Sequence, residues 1–393
     1  MKYRVLFIII IMILTGGLDN YKELNDLAIV SAISIDKDEN DMYIVSAQIL
    51  NSKKEFSGTK SEGSGSNITV YESKAKTIQE ALRNMTGESP KKLYISHMRV
   101  LLIDEKVAKE GISATMDFFL RDIKSNKEVL IVVTSEGTKA SKLIKVLTPI
   151  ETNPTKNLED SIYSTFEYRG STVKSLLNET ISDLIENGIE LVLPSVKLEG
   201  NAEKGESKDN IDNVTQVAKV LVGEIAYFNK DKLIGYLSKE DSISHNMMLN
   251  KIKNTIIETN INDIKSAIQI IGFESSVKPK FINNNFEVDI EVNSNAGIAE
   301  LSEKLNISNQ KDIENIEIQI EKEIKKRLEN YIDNVKNKYH SDIIGFGRMF
   351  NKYLNKEYTK VKDVFYEKYF KNIKCNINVK VSLENEGGMV KQW

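Results

Sequence analysis

Cysteine is nearly absent from this 393-residue sequence, with Cys375 as the single example. One thiol excludes an intrachain disulfide framework. It lies in an alternating, strand-like run, where a free cysteine serves as a small buried hydrophobe. Histidine is almost as scarce. His97, His245 and His340 are far apart and none has a second histidine four positions on, so zinc-type spacing is missing. Each is expected at the surface or at a helix cap. An excess of one charge is also lacking: 54 Lys and Arg face 57 Asp and Glu, interleaved, for a net charge of -3. No basic face for nucleic acid follows. After the opening residues no run approaches the 18 apolar residues of a transmembrane helix, so the rest of the chain is expected to be soluble.

Catalytic signatures are wanting as well. There is no G-x-S-x-G turn, no Cys paired with His in a recognised pattern and no G-x-G-x-x-G after a strand. Gly63 and Gly65 lie in a polar loop with no following Gly-Lys-Ser/Thr. Carboxylates are plentiful, but at 28% charged residues any pair is ordinary solvated surface. No catalytic, cofactor-binding or metal-binding residue is nominated. The balance favours binding or scaffolding over catalysis.

What is present begins at the first residue. Lys2 and Arg4 precede ten uninterrupted apolar residues, Val5 to Leu14, which is the anatomy of a secretory signal peptide. Fourteen helical residues rise only about 21 Å against a hydrocarbon core of about 30 Å, so the run is short for a span. Leu14-Thr15-Gly16 then resembles the end of a lipoprotein signal, yet Gly17 stands where the lipid-bearing cysteine belongs. Glycine has no nucleophile to acylate, so no lipidation residue exists as the sequence is written. Cleavage by ordinary signal peptidase after Gly16 is also disfavoured by Leu14.

Beyond this leader, "LAIVSAISID" and "MYIVSAQILN" alternate around a polar turn and predict a hairpin. Residues 52–66 read as a flexible loop, 68–73 as a strand, 77–87 as a short helix closed by Gly87, and 99–104 as a strand. Helical material over 105–121 leads to "VLIVVT" (129–134), an unbroken apolar strand covered on both faces. Helices follow at about 138–147 and 172–187, the second ending before Gly188. Residues 201–213 read as a linker or exposed loop. Two more hairpins follow, around "NKD" and around "NNN". An apolar stripe from Ile313 to Tyr339 predicts the longest helix, laid across a sheet. Gly345-Phe346-Gly347 is a kink between helices with Phe346 as a packing residue, and the run from Ile373 to Val381 is a last strand. The fold class is α+β or mixed α/β, in several domains. The boundaries are a leader over 1–17, an N-terminal region over 18–200 that subdivides near 135–150, and a C-terminal domain over 214–393.

Four stretches together resemble one family. "KELNDLAIVSAISID" is similar to the start of the Ger(x)C family, the C subunits of spore nutrient germinant receptors, just after its lipidated cysteine. "ISHMRVLLIDEKVAKEGISATMDFFLRD" is similar to its central block ending in Arg-Asp. "VLVGEIAYFNKDKLIGYLS" resembles the hairpin where a domain restarts, and "SDIIGFG" its late turn of Asp followed by Gly-x-Gly. The resemblance implies three domains, each with a small, mostly antiparallel sheet flanked by helices. It also implies an exported, lipid-tethered protein on the outer face of the spore inner membrane. There it would couple nutrient detection to exit from dormancy, with two polytopic membrane subunits and the membrane surface as partners, without cofactor and without binding the nutrient directly. The departures are Gly17 for the cysteine and Leu18 for the Trp of the family's next Trp-Asp pair. The alternative reading is an extracytoplasmic solute-binding protein or an envelope hydrolase, which would need a deep pocket with convergent polar groups.

Overall fold

Alternating apolar residues build the first hairpin. The structure, a computed structural model, describes residues 27–51, 66–121, 126–303 and 310–384. The leader with Gly17 and the loop at 52–65 lie outside the described residues. Strands β1 (Leu27–Lys37) and β2 (Tyr43–Leu50) pair antiparallel, and the turn between them is held by Asp38, whose Oδ1 accepts the N–H groups of Asn40 and Met42, both at 2.9 Å. Strand β3 (Ile68–Ala75) extends this flank, and β4 (Lys92–Tyr94) pairs with the start of β1. Strands β5 (Val100–Ile103), β6 (Leu130–Thr134) and β7 (Val192–Gly200) then run parallel to β1, and β8 (Ala218–Asn229) and β9 (Lys232–Tyr236) close the far side antiparallel. The result is a nine-stranded mixed sheet of order β3-β2-β1-β5-β6-β7-β8-β9.

The expectation of small, mostly antiparallel sheets is corrected for this half. Strand β6 shows why: Ile131 and Val133 join one hydrophobic cluster, while Leu130 and Val132 join another on the opposite face. Both faces are covered, so alternation disappears and a parallel centre becomes stable. The sheet also runs up to both ends of the segment read as a linker or exposed loop. Strands β7 and β8 stay paired out to Gly200 and Ala218, and the residues between form helical turns at Ala202–Gly205 and Asp209–Asp212. Buried Asn210 ties them down, accepting from Ala218 N–H (2.8 Å) and donating to the Leu147 (2.7 Å) and Ala218 (3.1 Å) carbonyls. A polar composition is thus compatible with a fixed position when one side chain bridges three backbone groups.

Helices α1 (Ile78–Asn84), α2 (Glu105–Glu110), α3 (Ser113–Arg121), α4 (Pro154–Tyr168) and α5 (Leu177–Ile185) accompany this sheet. The helix expected over 138–147 is only Ala140–Leu143. The one expected over 172–187 begins at Leu177, because Ile131 N–H donates to Ser175 O (2.9 Å) and Leu130 bridges Leu176, which holds the preceding residues extended along the sheet.

Helix α6 (Lys239–Met248) leads into a second sheet of order β10-β11-β12-β13, made of β10 (Thr255–Ile261), β11 (Ile264–Ile282), β12 (Asn285–Leu301) and β13 (Lys374–Leu383). Only the β12–β13 pairing is parallel. Helix α7 (Gln310–Asn334) is the long one, and its stripe Ile316, Ile320, Ile324, Leu328, Tyr331 and Ile332 is buried, as the period predicts. A wider helical turn, Val335–Tyr339, ends at left-handed His340 (φ 51°). Glu317 and Glu321 of α7 accept the N–H groups of Leu383 (2.8 Å) and Val381 (3.1 Å), which covers part of the β13 edge. The described residues thus form two sheets where three small ones were expected. Ile225 and Tyr227 of β8 belong to the same hydrophobic cluster as α7 and β12, so the two halves share a core.

Candidate functional site

A buried carboxylate held by several donors lies where the halves meet, in the turn "SDIIGFG". The Asp342 carboxylate accepts three backbone N–H groups: Gly345 (3.0 Å) and Phe346 (2.9 Å) on Oδ1, and Gly347 (2.8 Å) on Oδ2. Tyr366 Oη donates to Oδ2 at 3.4 Å. The side chain is buried, and burial pushes its carboxyl up to about 7 against the opposing pull of the three N–H donors. Gly345 takes a left-handed conformation (φ 80°), opening the backbone so that helix α8 (Phe346–Tyr353) starts with its N–H groups aimed at the carboxylate. Every oxygen of Asp342 is therefore spent on shaping the turn. Such a carboxylate is a structural pin and a poor general base.

The pin fixes the second half to the first. Asp342 O accepts Glu190 N–H (3.1 Å), and Ser341 Oγ donates to Phe228 O (2.6 Å). Gly188 O accepts Arg348 N–H at 2.6 Å. Gly188 has φ 94°, and a Cβ there would lie 2.4 Å from the Arg348 nitrogen; one on Gly347 would lie 2.8 Å from Gly188 Cα. Two glycines in contact let the α5–β7 connection and the start of α8 touch backbone to backbone. Around them, Arg348 Nη1 pairs with Asp183 (3.0 Å) and Glu186 (3.3 Å). Phe346 is fully buried, as its reading as a packing residue requires. Beside the pin, an open cleft is lined by Glu190, Lys230, Lys336, His340 and Tyr366.

The histidines divide. His340 is exposed and caps its helical turn, and His97 is exposed beside Tyr94, both as expected. His245 is corrected: it is fully buried on α6, with Nδ1 2.8 Å from Tyr331 Oη. Burial pushes its pKa down to about 3, so the ring is neutral at physiological pH. Next to it, Asp241 accepts from Asn334 Nδ2 (3.1 Å) and from Tyr339 Oη. Sequence reasoning missed this buried polar helix. Its partners come from α7 and the wider turn after it, almost a hundred residues away, and Ser238 with Asp241 three positions on was the one local signal, a capping pattern. Cys375 is part-buried on β13, and burial pushes its thiol up to about 11. Among the described residues no group of three or more His, Cys, Asp or Glu could hold a metal ion, and no helix is long and apolar enough to cross a membrane.

The two halves joined by this pin coincide with two family descriptions. Residues 20–198 match "Spore germination protein N-terminal domain" and residues 223–387 match "Spore germination B3/ GerAC like, C-terminal". The chain is 27% identical to spore germination protein KC of Bacillus subtilis (strain 168), over 98% of this chain and 95% of that protein. It is 25% identical to the putative spore germination protein YfkR of the same organism, over 76% and 74% of the two chains. The crystal structure of the GerBC protein superposes with a TM-score of 0.55 at 17% identity, covering 90% of this chain and 97% of that one, a likeness of fold. With both halves matched in order, the chain belongs to the family of GerAC-like spore germination proteins, the C subunits.

Proposed function

We propose that this chain is the non-enzymatic C subunit of a spore nutrient germinant receptor and that it works with two polytopic membrane subunits to couple nutrient detection to exit from dormancy. The observation that carries this reading is the pinned junction. Asp342, Gly188 and Gly347 spend their chemistry on fixing two sheets relative to each other, which suits a body that presents fixed surfaces to partners and biases a two-state assembly. On this reading the chain acts on the outer face of the spore inner membrane. Its attachment depends on those partners, because Gly17 cannot carry a diacylglyceryl group, and stable anchoring needs two acyl chains or a second signal.

Replacing Gly17 by Cys, with palmitate labelling and spore fractionation, tests the anchor. The expected result is label on the Gly17→Cys chain alone, with membrane recovery and germination rising together. Label on the unaltered chain would overturn the reading.

A further inference from the structure

Positive charge is concentrated on the helical cap that runs from α8 to the start of β13. Its short turns, from Phe346 to Asn372, wrap an aromatic interior: Phe350 and Phe365 lie 4.6 and 5.6 Å from Phe286 of β12, and Phe370 is buried with them. Polar side chains are left on the outside. Lys352, Lys356, Lys360, Lys362, Lys368 and Lys371 are all exposed, against three acids in the same stretch, Glu357, Asp363 and Glu367. Among the described residues none of the six pairs with a carboxylate, whereas on α7 Arg327 meets Glu323 at 2.7 Å and Lys325 meets Glu329 at 4.0 Å. Uncompensated lysines on one packed cap make a positive surface. Tyr353 stands 62% exposed among them, with Lys352 Nζ 5.2 Å from the centre of its ring.

The cap also has a defined place. The bond from Arg348 N–H to Gly188 O sets the start of α8 at the N-terminal end of β7, and β1, β5 and β6 run parallel to β7. Leu27, where the chain enters β1, is therefore at the same end of the first sheet. Twelve residues separate Leu27 from the apolar run that ends at Leu14, a reach of at most about 45 Å.

We infer that the cap docks on a lipid surface with anionic headgroups and so fixes which end of the body faces the membrane. The lysine ammonium groups take the headgroup phosphates, and Tyr353 sits at headgroup level, where amphipathic rings are favoured. Little apolar surface is offered for insertion, so the contact is reversible and salt-sensitive. It orients a chain that its partners hold. The inference rests on the reading that the chain works at a membrane, but the contact is one the chain makes by itself.

The test is flotation of the full chain with phosphatidylcholine vesicles, with and without about a third phosphatidylglycerol, at roughly 20 mM and roughly 500 mM salt. Binding is expected on the anionic vesicles at low salt, and about tenfold weaker or less on neutral vesicles or at high salt. Lys356→Glu combined with Lys360→Glu should weaken it by about tenfold or more. The same charge change at Lys204 and Lys208, exposed beyond the far end of β7, should leave it within about twofold. No binding, binding through the leader that ignores salt and headgroup, or equal loss in both double variants would overturn the inference. So would tighter binding to soluble polyglutamate than to vesicles, which would point to an acidic protein instead. The lipid and salt comparisons need only the unaltered chain, so they decide the matter even if a variant fails to fold. No partner subunit is present, so failure here leaves the receptor reading standing, and failure of that reading leaves vesicle binding standing.

Discussion

At the scale of the residue, the junction depends on what glycine lacks. Gly188→Ala adds a methyl 2.4 Å from the Arg348 nitrogen at φ 94°, and the expected cost is about 2–4 kcal/mol, read from urea unfolding. Asp342→Asn puts an NH₂ where one carboxylate oxygen accepted, so at least one buried N–H loses its acceptor, for about 1–3 kcal/mol. Two buried acids, Asp342 and Asp36, set the pH dependence. Asp36, at the end of β1, has its carboxyl raised above 3.8 by burial and then by the neighbouring Asp104, against Lys139 and the Ser141 N–H. A carboxyl raised in the folded state keeps its proton after the unfolded chain has released it. Its contribution is therefore present below the ordinary carboxylate range and is lost as pH rises from there towards the raised folded value. The urea midpoint should fall over that window, and Asp36→Asn should flatten the fall. Some of this was legible beforehand. Phe346 and the glycine kink showed in the sequence, whereas Gly188 was visible only as a helix stop, since its partner lies far along the chain.

At the scale of the element, periodicity told most where one face alone is buried. The α7 stripe and the hairpins β1–β2, β8–β9 and β11–β12 follow from it directly. Ile324→Ala in the middle of that stripe should cost about 2–5 kcal/mol, through lost transfer energy and the cavity left behind. Elements without a clean stripe were missed: strand β7, whose pairing is non-local, and α6, buried with Ser242, Ser244, His245 and Asn246 all inside. Helix α4 was missed too, although its start is marked by Asn153, which caps it through the N–H groups of Thr155 and Lys156, with Pro154 next in line. Edges follow a similar logic. β10 pairs with β11 only as far as Ile270, and beyond it the open side carries Lys278, Pro279 and Lys280, which discourage pairing with another chain.

At the scale of the whole molecule, the two sheets share one hydrophobic cluster through Ile225 and Tyr227, and the Asp342 turn pins them. Unfolding of the unaltered chain should therefore be a single cooperative transition by circular dichroism and tyrosine fluorescence, and Gly347→Ala should separate the two probes. Homology-scale order was readable from four short blocks, but the parallel centre of the first sheet was not, because it depends on which faces the helices cover. The claim on which the account rests is that this rigid body reaches its membrane through other subunits. The direct measurement is membrane fractionation of spores that make this chain with and without the two polytopic subunits. The chain should sediment with membrane when they are present and stay in the supernatant when they are absent; equal recovery with membrane in both would contradict the account.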